Sequence, residues 1–266
     1  MMQQAQDFLD ESEALHILIA DLTDEELRQA TAFKNWTIET IIRHLHVWNE
    51  AANMGLTDEE QFKLFIAKIM AGIQSGGLPA IENEIAGELR GRELVATWSK
   101  FFREMTPRFG AADPSDRVLW AGPTMSVRSS ITARLMETWA HGQEIYDLLG
   151  VTRKNEDRIR NIVVLGNNTY GWTFKVNGED PPEPHPHLIL NAPSGDVWLY
   201  NDPNGEERIE GLAEEFCQVV TQTRNIADTD LKVAGPNATR WMAMAQCFAG
   251  RPETPPAPGT RKPTRP

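Results

Sequence analysis

The 266-residue sequence predicts an α+β protein in two parts, a helical first half and a smaller second part that mixes short strands with helices. Three observations lead there. Apolar residues recur at helical spacing as far as about residue 150, alternation at strand spacing begins only after about residue 175, and Gly, Pro and Asn turn signals fall between such stretches. A hydrophobic content of 41% supports a substantial core in a chain of this length. The expected organisation is a helical bundle over 1–174, a small α+β domain over 175–250 and a disordered proline-rich tail over 251–266.

Residues 3–30 place Phe8, Leu9, Leu15, Ile19 and Leu22 close to the helical period, which predicts a long amphipathic helix with a break near Asp21. In "NWTIETIIRHLHVWNEAANMGL", Thr37 is the expected N-cap, Glu39 suits the positive end of the helix dipole, and Gly55 lies near the end. "DEEQFKLFIAKIMAGIQSGG" reads as a further helical piece that ends at Gly76-Gly77. A third long helix is expected from Pro79 to just before Pro107, and a fourth from near Ser126 to Gly150.

The second part carries "HLILNAP", "DVWLYND" and "EERIEG", separated by Pro193-Ser194-Gly195 and Asn204-Gly205. These are expected strands of a small antiparallel sheet. Two helices, "LAEEFCQVVTQTR" and "ATRWMAMAQCFAG", should follow. The last stretch, "RPETPPAPGTRKPTRP", has almost nothing to bury.

A formal net charge of -12 argues against general affinity for nucleic-acid backbones or anionic membranes. No run approaches the roughly 18 apolar residues of a membrane span, and the start lacks the order of a secretory signal. The expectation is a cytoplasmic protein with a small-molecule substrate, without nucleic-acid or membrane partners, and with an undetermined oligomeric state. The two cysteines, Cys217 and Cys247, form neither a disulfide framework nor a CxxC site, so any metal must be held by nitrogen and oxygen.

Within "RLMETWAHGQEIYDLLG", Glu137 and His141 stand four residues apart and so share one face of a helix. They can supply two ligands of a metal site that needs a third from a neighbouring helix. His44 is the best candidate, on the row Thr37, Ile41, His44, Trp48, whereas His46 is rotated by roughly 200° from it. The same spacing also suits a surface pair worth only about 0.2–0.5 kcal/mol. His185 and His187 sit in "DPPEPHPHL", which reads as an exposed loop that enters a strand. Trp36, Trp48 and Trp120 can line an apolar pocket or serve as core, while Trp139 lies on a different face from the two ligands beside it.

"NWTIETIIRHL" and "ARLMETWAHGQEIYDLLG" resemble the two signature segments of the DinB-like metalloproteins, in the branch that includes mycothiol-dependent maleylpyruvate isomerase. That branch opens its second helix with a Trp-Thr pair, places a histidine seven residues after the threonine, and carries on its fourth helix a glutamate followed four residues later by a histidine. Trp36, Thr37, His44, Glu137 and His141 fill these positions here. Further pieces, "APSGDVWLY" and "GLAEEFCQVVTQTR" among them, extend the resemblance in order over about residues 1–250, to a subfamily described only as metal-binding. Two departures bear on substrate choice: Asn49 stands where an aspartate is usual, and His46 where a small residue is more common.

The resemblance implies a DinB-like four-helix up-down-down-up bundle with a divalent metal, usually zinc, on His44, Glu137 and His141, then a sterol-carrier-like α+β domain. It also implies an isomerase or thiol transferase in which a low-molecular-weight thiol, as cosubstrate, becomes a nucleophile on the metal and attacks a small electrophile. Arg128 and Arg224 are then the candidates to receive developing negative charge, Arg224 because it closes a segment that resembles one ending in arginine in the isomerase branch. Chemistry through metal-bound water or a bare Lewis acid, and a non-catalytic binding protein with a structural metal, are alternatives that the sequence leaves open.

Overall fold

Helix α1 (Gln3–Ile19) buries Phe8, Leu15 and Ile19 of the row that the periodicity picks out, together with Ala5, Glu11 and Ser12, while Leu9 is half-buried and Leu22 lies beyond the helix. The expected break follows, and Thr23 and Glu26 form a reciprocal capping box on the short α2 (Asp24–Leu27). This structure is a computed structural model that describes residues 1–261. It divides into two units, one ending at Leu148 and one beginning at Leu149.

In the first unit, the Thr37 side chain accepts from the Thr40 amide and starts α3 (Ile38–Thr57) where the sequence places it. Helices α4 (Glu59–Gly76) and α5 (Leu78–Ile85) form a hairpin. Ile69 and Ile81 of that hairpin share an apolar cluster with Val47, and Trp48, Phe65 and Ile85 pack against it. Helices α6 (Gly91–Ala111) and α7 (Val127–Leu149) complete the set of long helices. Between them β1 (Arg117–Val118) and β2 (Met125–Ser126) pair antiparallel.

The third long helix differs from expectation at both ends. Left-handed backbone at Gly87 (φ 62°) and Gly91 (φ 50°) separates α5 from α6. A side chain at Gly91 would be strained by that backbone, and its Cβ would push aside the Asp24 carboxylate. The carboxylates of Glu39 and Asp24 then accept from the Gly91 and Arg92 amides, at 2.8 and 2.9 Å, and neutralise the helix start. Pro107 lies inside α6 near its end, where it removes a single helical hydrogen bond and the helix runs on for one more turn.

Helix α7 is unusual. Beside Ile131, Leu135, Trp139 and Ile145 it buries Arg134, Thr138, Gln143, Glu144 and Asp147. Burying polar groups is unfavourable unless they are partnered, and here Thr138 donates to the Arg134 carbonyl at 2.9 Å and Gln143 to Asp147 at 3.0 Å.

In the second unit, α8 (Arg160–Asn168) and α9 (Tyr170–Val176) precede β3 (His187–Asn191), β4 (Val197–Tyr200) and β5 (Arg208–Leu212). Then come α10 (Ala213–Val220), β6 (Lys232–Ala234) and α11 (Pro236–Met244). The sheet is mixed and not antiparallel: its order is β4-β3-β5-β6, with β3 and β5 parallel. Leu188, Leu190, Trp198 and Ile209 form its buried face, and Val197 and Leu199 lie exposed on the other.

The expected boundary at 174 falls inside α9, and the contacts place the division at 148 instead. Packing explains the shift: α8 approaches α10 so closely that a Cβ on Gly166 would lie 2.9 Å from Val220. Of the stretch expected as a disordered tail, residues 262–266 fall outside the described residues. The described part has no helix or strand, and its carbonyls and amides are hydrogen bonded, Glu253 and Pro256 to Gln222 and Asn225 and Gly259 to Asp228. Among the described residues no helix is long and apolar enough to cross a membrane.

Candidate metal centre

Two long helices of the first unit bring His44, Glu137 and His141 together. One ligand atom from each lies within 4.8 Å of the others. His44 Nε2 is 3.4 Å and His141 Nε2 3.3 Å from the same oxygen, Glu137 Oε2. His44 is buried, whereas Glu137 and His141 are half-buried, so the cluster is open on one side.

The loop before α3 builds one wall. Lys34 and Asn35 take left-handed backbone (φ 50° and 58°), and the Trp36 carbonyl accepts from the Thr31 amide at 2.8 Å and its hydroxyl at 2.9 Å. This turn sets Trp36 flat against His141 and Phe33 edge-on to it, with ring centroids 5.7 and 5.1 Å away. Trp48 stands 6.2 Å from His44 and 5.4 Å from Trp120. Trp36, Trp48 and Trp120 thus gather at this end of the unit, and Trp139 is wholly buried.

Two charged residues that the sequence did not single out complete the surroundings. Glu82, on α5 and wholly buried, meets His44 Nδ1 at 2.7 Å through Oε1, and Trp48 Nε1 donates to the same oxygen at 2.8 Å. Arg134, one turn before Glu137 on α7, is buried and donates from Nε to Asn49 Oδ1 at 3.0 Å. Burial lowers its pKa to about 10, against the pull of Glu137 and Glu82. A polar side chain on the inward row of a helix such as α7 is the signal that marks Arg134. Nothing in the one-dimensional pattern marks Glu82.

The electrostatics follow from these contacts. Burial opposes a charged His44, yet the carboxylates of Glu82 and Glu137 raise it to about 9. Burial also opposes ionisation of Glu137, but hydrogen bonds from both imidazoles and their charge hold it well below the usual carboxylate range. His141 is lowered, by burial first. Glu137 is thus favoured as a carboxylate between one imidazole whose charged form is favoured and one whose charged form is not, a balance that suits a cation in place of a proton.

Other nominated residues lie elsewhere. His46 faces Phe101 of α6, 5.5 Å between ring centroids, and burial lowers it to about 4. Arg128 is exposed in the first turn of α7, nine residues and roughly 13 Å of helical rise from Glu137. Arg224 belongs to the second unit, where it is buried and not solvated. His185 and His187 are less exposed than their loop suggests: His185 stacks on Tyr170 at 4.1 Å, and His187 Nδ1 lies 2.9 Å from the Tyr200 carbonyl.

Comparison with known proteins bears on the same residues. Two uncharacterized proteins of Mycobacterium tuberculosis, from strains CDC 1551 / Oshkosh and ATCC 25618 / H37Rv, are each 36% identical over 243 residues, 91% of this chain and 93% of theirs. The fold matches crystal structures of mycothiol-dependent maleylpyruvate isomerase and of a histidine-to-alanine mutant of it, with a TM-score of 0.52 for each and 15% and 14% identity. Both matches cover 82% of this chain and 87% of the other. Residues 8–146, which include His44, Glu137 and His141, match the family described as the mycothiol maleylpyruvate isomerase N-terminal domain, and the chain belongs to that family.

Proposed function

We propose that the protein is a metal-dependent enzyme of the maleylpyruvate isomerase or thiol transferase type, with a divalent metal, zinc first, on His44, Glu137 and His141. A low-molecular-weight thiol is the proposed cosubstrate and a small electrophilic metabolite the substrate. One observation carries the assignment. Ligand atoms at 2.0–2.1 Å from a four-coordinate ion are roughly 3.3–3.4 Å from one another, and Glu137 Oε2 stands 3.4 and 3.3 Å from the two imidazole nitrogens. Those two edges match the spacing of ligands around one ion, and all three ligand atoms lie within 4.8 Å of one another.

The donor set of two nitrogens and one oxygen fits zinc and leaves a coordination position free. A cation bound there supplies Lewis acidity, which lowers the pKa of a thiol at that position into the neutral range. The chain's own residues do the rest. The half-buried Glu137 and His141 keep that side accessible, while Trp36, Phe33 and Trp48 give it apolar walls. Of the two arginines on α7, the buried Arg134 stands one turn from Glu137 and Arg128 faces solvent, which favours Arg134 as the cation that tunes the centre. Arg224 is retained as the group that receives charge on the substrate.

Elemental analysis after zinc loading tests the site. About one ion per chain is expected in the wild type and near-complete loss in His44→Ala and in His141→Ala. Full metal in both variants would remove the assignment. Turnover of maleylpyruvate with mycothiol or glutathione, compared with and without the metal, tests the chemistry.

A further inference from the structure

We propose that Glu82 is the positioning residue of this centre: it holds His44 in the Nδ1–H tautomer and so turns the Nε2 lone pair toward Glu137 and His141. The proposal rests on the metal-site assignment above and adds a residue that the ligand set does not contain. His44 presents its two nitrogens to different partners, Nδ1 to Glu82 Oε1 at 2.7 Å and Nε2 to Glu137 Oε2 at 3.4 Å. The shorter contact has the length of a charge-assisted hydrogen bond, and the longer the spacing of two ligands. A neutral imidazole that donates from Nδ1 has its Nε2 lone pair free to ligate, so a cation at the centre would take the place of any proton on Nε2 while Glu82 keeps the one on Nδ1.

Three features separate this role from ordinary packing. Glu82 is wholly buried, and its second oxygen, Oε2, has no hydrogen-bond partner among the described residues. A buried carboxylate left half-satisfied destabilises a fold, so its place is not explained by stability. Its one satisfied oxygen is clamped twice, by His44 and by the Trp48 indole at 2.8 Å. Finally, Glu82 is not on the long helices that hold the ligands. It comes from α5, which the α4–α5 hairpin seats against Val47 and Trp48 of α3, next to the helical turn that carries His44. The hairpin thereby couples its own packing to the orientation of a ligand. Carboxylate partners of this kind fix ring orientation and raise ligand basicity, and their loss weakens metal binding by about 10–100-fold.

The test compares full-length wild type with Glu82→Gln and Glu82→Ala. Zinc affinity is read by competition with a chromophoric chelator, and the His44 tautomer by nitrogen-detected imidazole NMR of the zinc-loaded protein. Glu82→Ala should lose about 10–100-fold in affinity and lose the exchange-protected Nδ1–H signal. Glu82→Gln keeps an acceptor for both His44 and Trp48, so it should keep that signal and lose less affinity. A chelator titration of Glu82→Ala, or of Glu82→Gln if the alanine variant does not fold, that is indistinguishable from wild type overturns the role of Glu82 while the metal site stands. A wild type that takes up no zinc overturns both.

Discussion

The Trp36 indole lies parallel to the His141 imidazole, with planes inclined by 10° and centroids 5.7 Å apart. The same indole stands 5.4 Å from His44 at 56°, so one side chain borders both imidazoles. Its position depends on the left-handed turn at Lys34-Asn35 and not on α3 itself. Aromatic pairs of this geometry contribute about 0.5–1.5 kcal/mol beyond the area they bury. Trp36→Leu should therefore weaken zinc binding by about two- to tenfold without abolishing it, as measured by chelator competition. Unchanged affinity would mean that Glu137 alone orients His141.

The α4–α5 hairpin supplies a second test, remote from the ligands. A Cβ on Gly72 of α4 would lie 2.4–2.6 Å from Cβ, Cγ1 and Cδ1 of Ile81, the residue next to Glu82. Ile81 is buried and β-branched, so it has little freedom to give way. Gly72→Ala should destabilise the protein by about 1–3 kcal/mol in denaturant unfolding and lower zinc affinity by displacing α5. Gly76→Ala is the control, since its Cβ would meet only Ala80, at 3.2 Å. If Gly72→Ala lost stability but kept full zinc affinity, the hairpin would not be coupled to the centre.

His44, Glu137 and His141 were legible because each belongs to a long helix whose phase is fixed locally. Thr37 sets where α3 begins, and four-residue spacing puts Glu137 and His141 on one face whatever the tertiary structure. Glu82 was not legible. It lies in "AIENEI" of an eight-residue helix, where its neighbour Glu84 is exposed and only packing against α3 distinguishes the two. The parallel pairing of β3 with β5 was hidden for a similar reason. Alternation identifies a strand but not its neighbour, and the connection from β4 to β5 crosses β3 instead of turning back on β4. The left-handed glycines that separate α5 from α6 are visible as residues, but their φ values are not.

Asn49 offers a test of the buried charge. Its Oδ1 accepts from Arg134 Nε at 3.0 Å, while its Nδ2 is buried with no partner among the described residues. Asn49→Asp, which installs the aspartate usual in the resembling family, removes that orphan donor and places a carboxylate against a guanidinium. Hydrogen bonds to charged groups contribute more than neutral ones, so a gain of about 1 kcal/mol is expected, visible as a higher Tm in the metal-free protein. A lower Tm would show that repulsion from Glu137 and Glu82 outweighs the new pair. Arg134→Met, which leaves Asn49 without its donor, should lower Tm in either case.

Arg224 and Arg128 separate charge stabilisation from metal binding. If Arg224 receives negative charge on the substrate, Arg224→Ala should reduce kcat by a factor on the order of 100–1,000, as loss of a donor to developing charge does, with zinc content unchanged. Arg128 is exposed at the start of α7, so Arg128→Ala should stay within about twofold of wild type. The readouts are steady-state turnover of maleylpyruvate with mycothiol, and elemental analysis of the same preparations. The thiol dependence has an independent signature: in cobalt-substituted protein, a thiol that binds at the free coordination position adds a sulfur-to-metal charge-transfer band, because a coordinated thiol is deprotonated. Arg224→Ala should keep that band while turnover falls. A protein that shows no such band with either mycothiol or glutathione, yet turns over substrate without them, would exclude the thiol from the reaction and leave metal-activated water as the nucleophile to test.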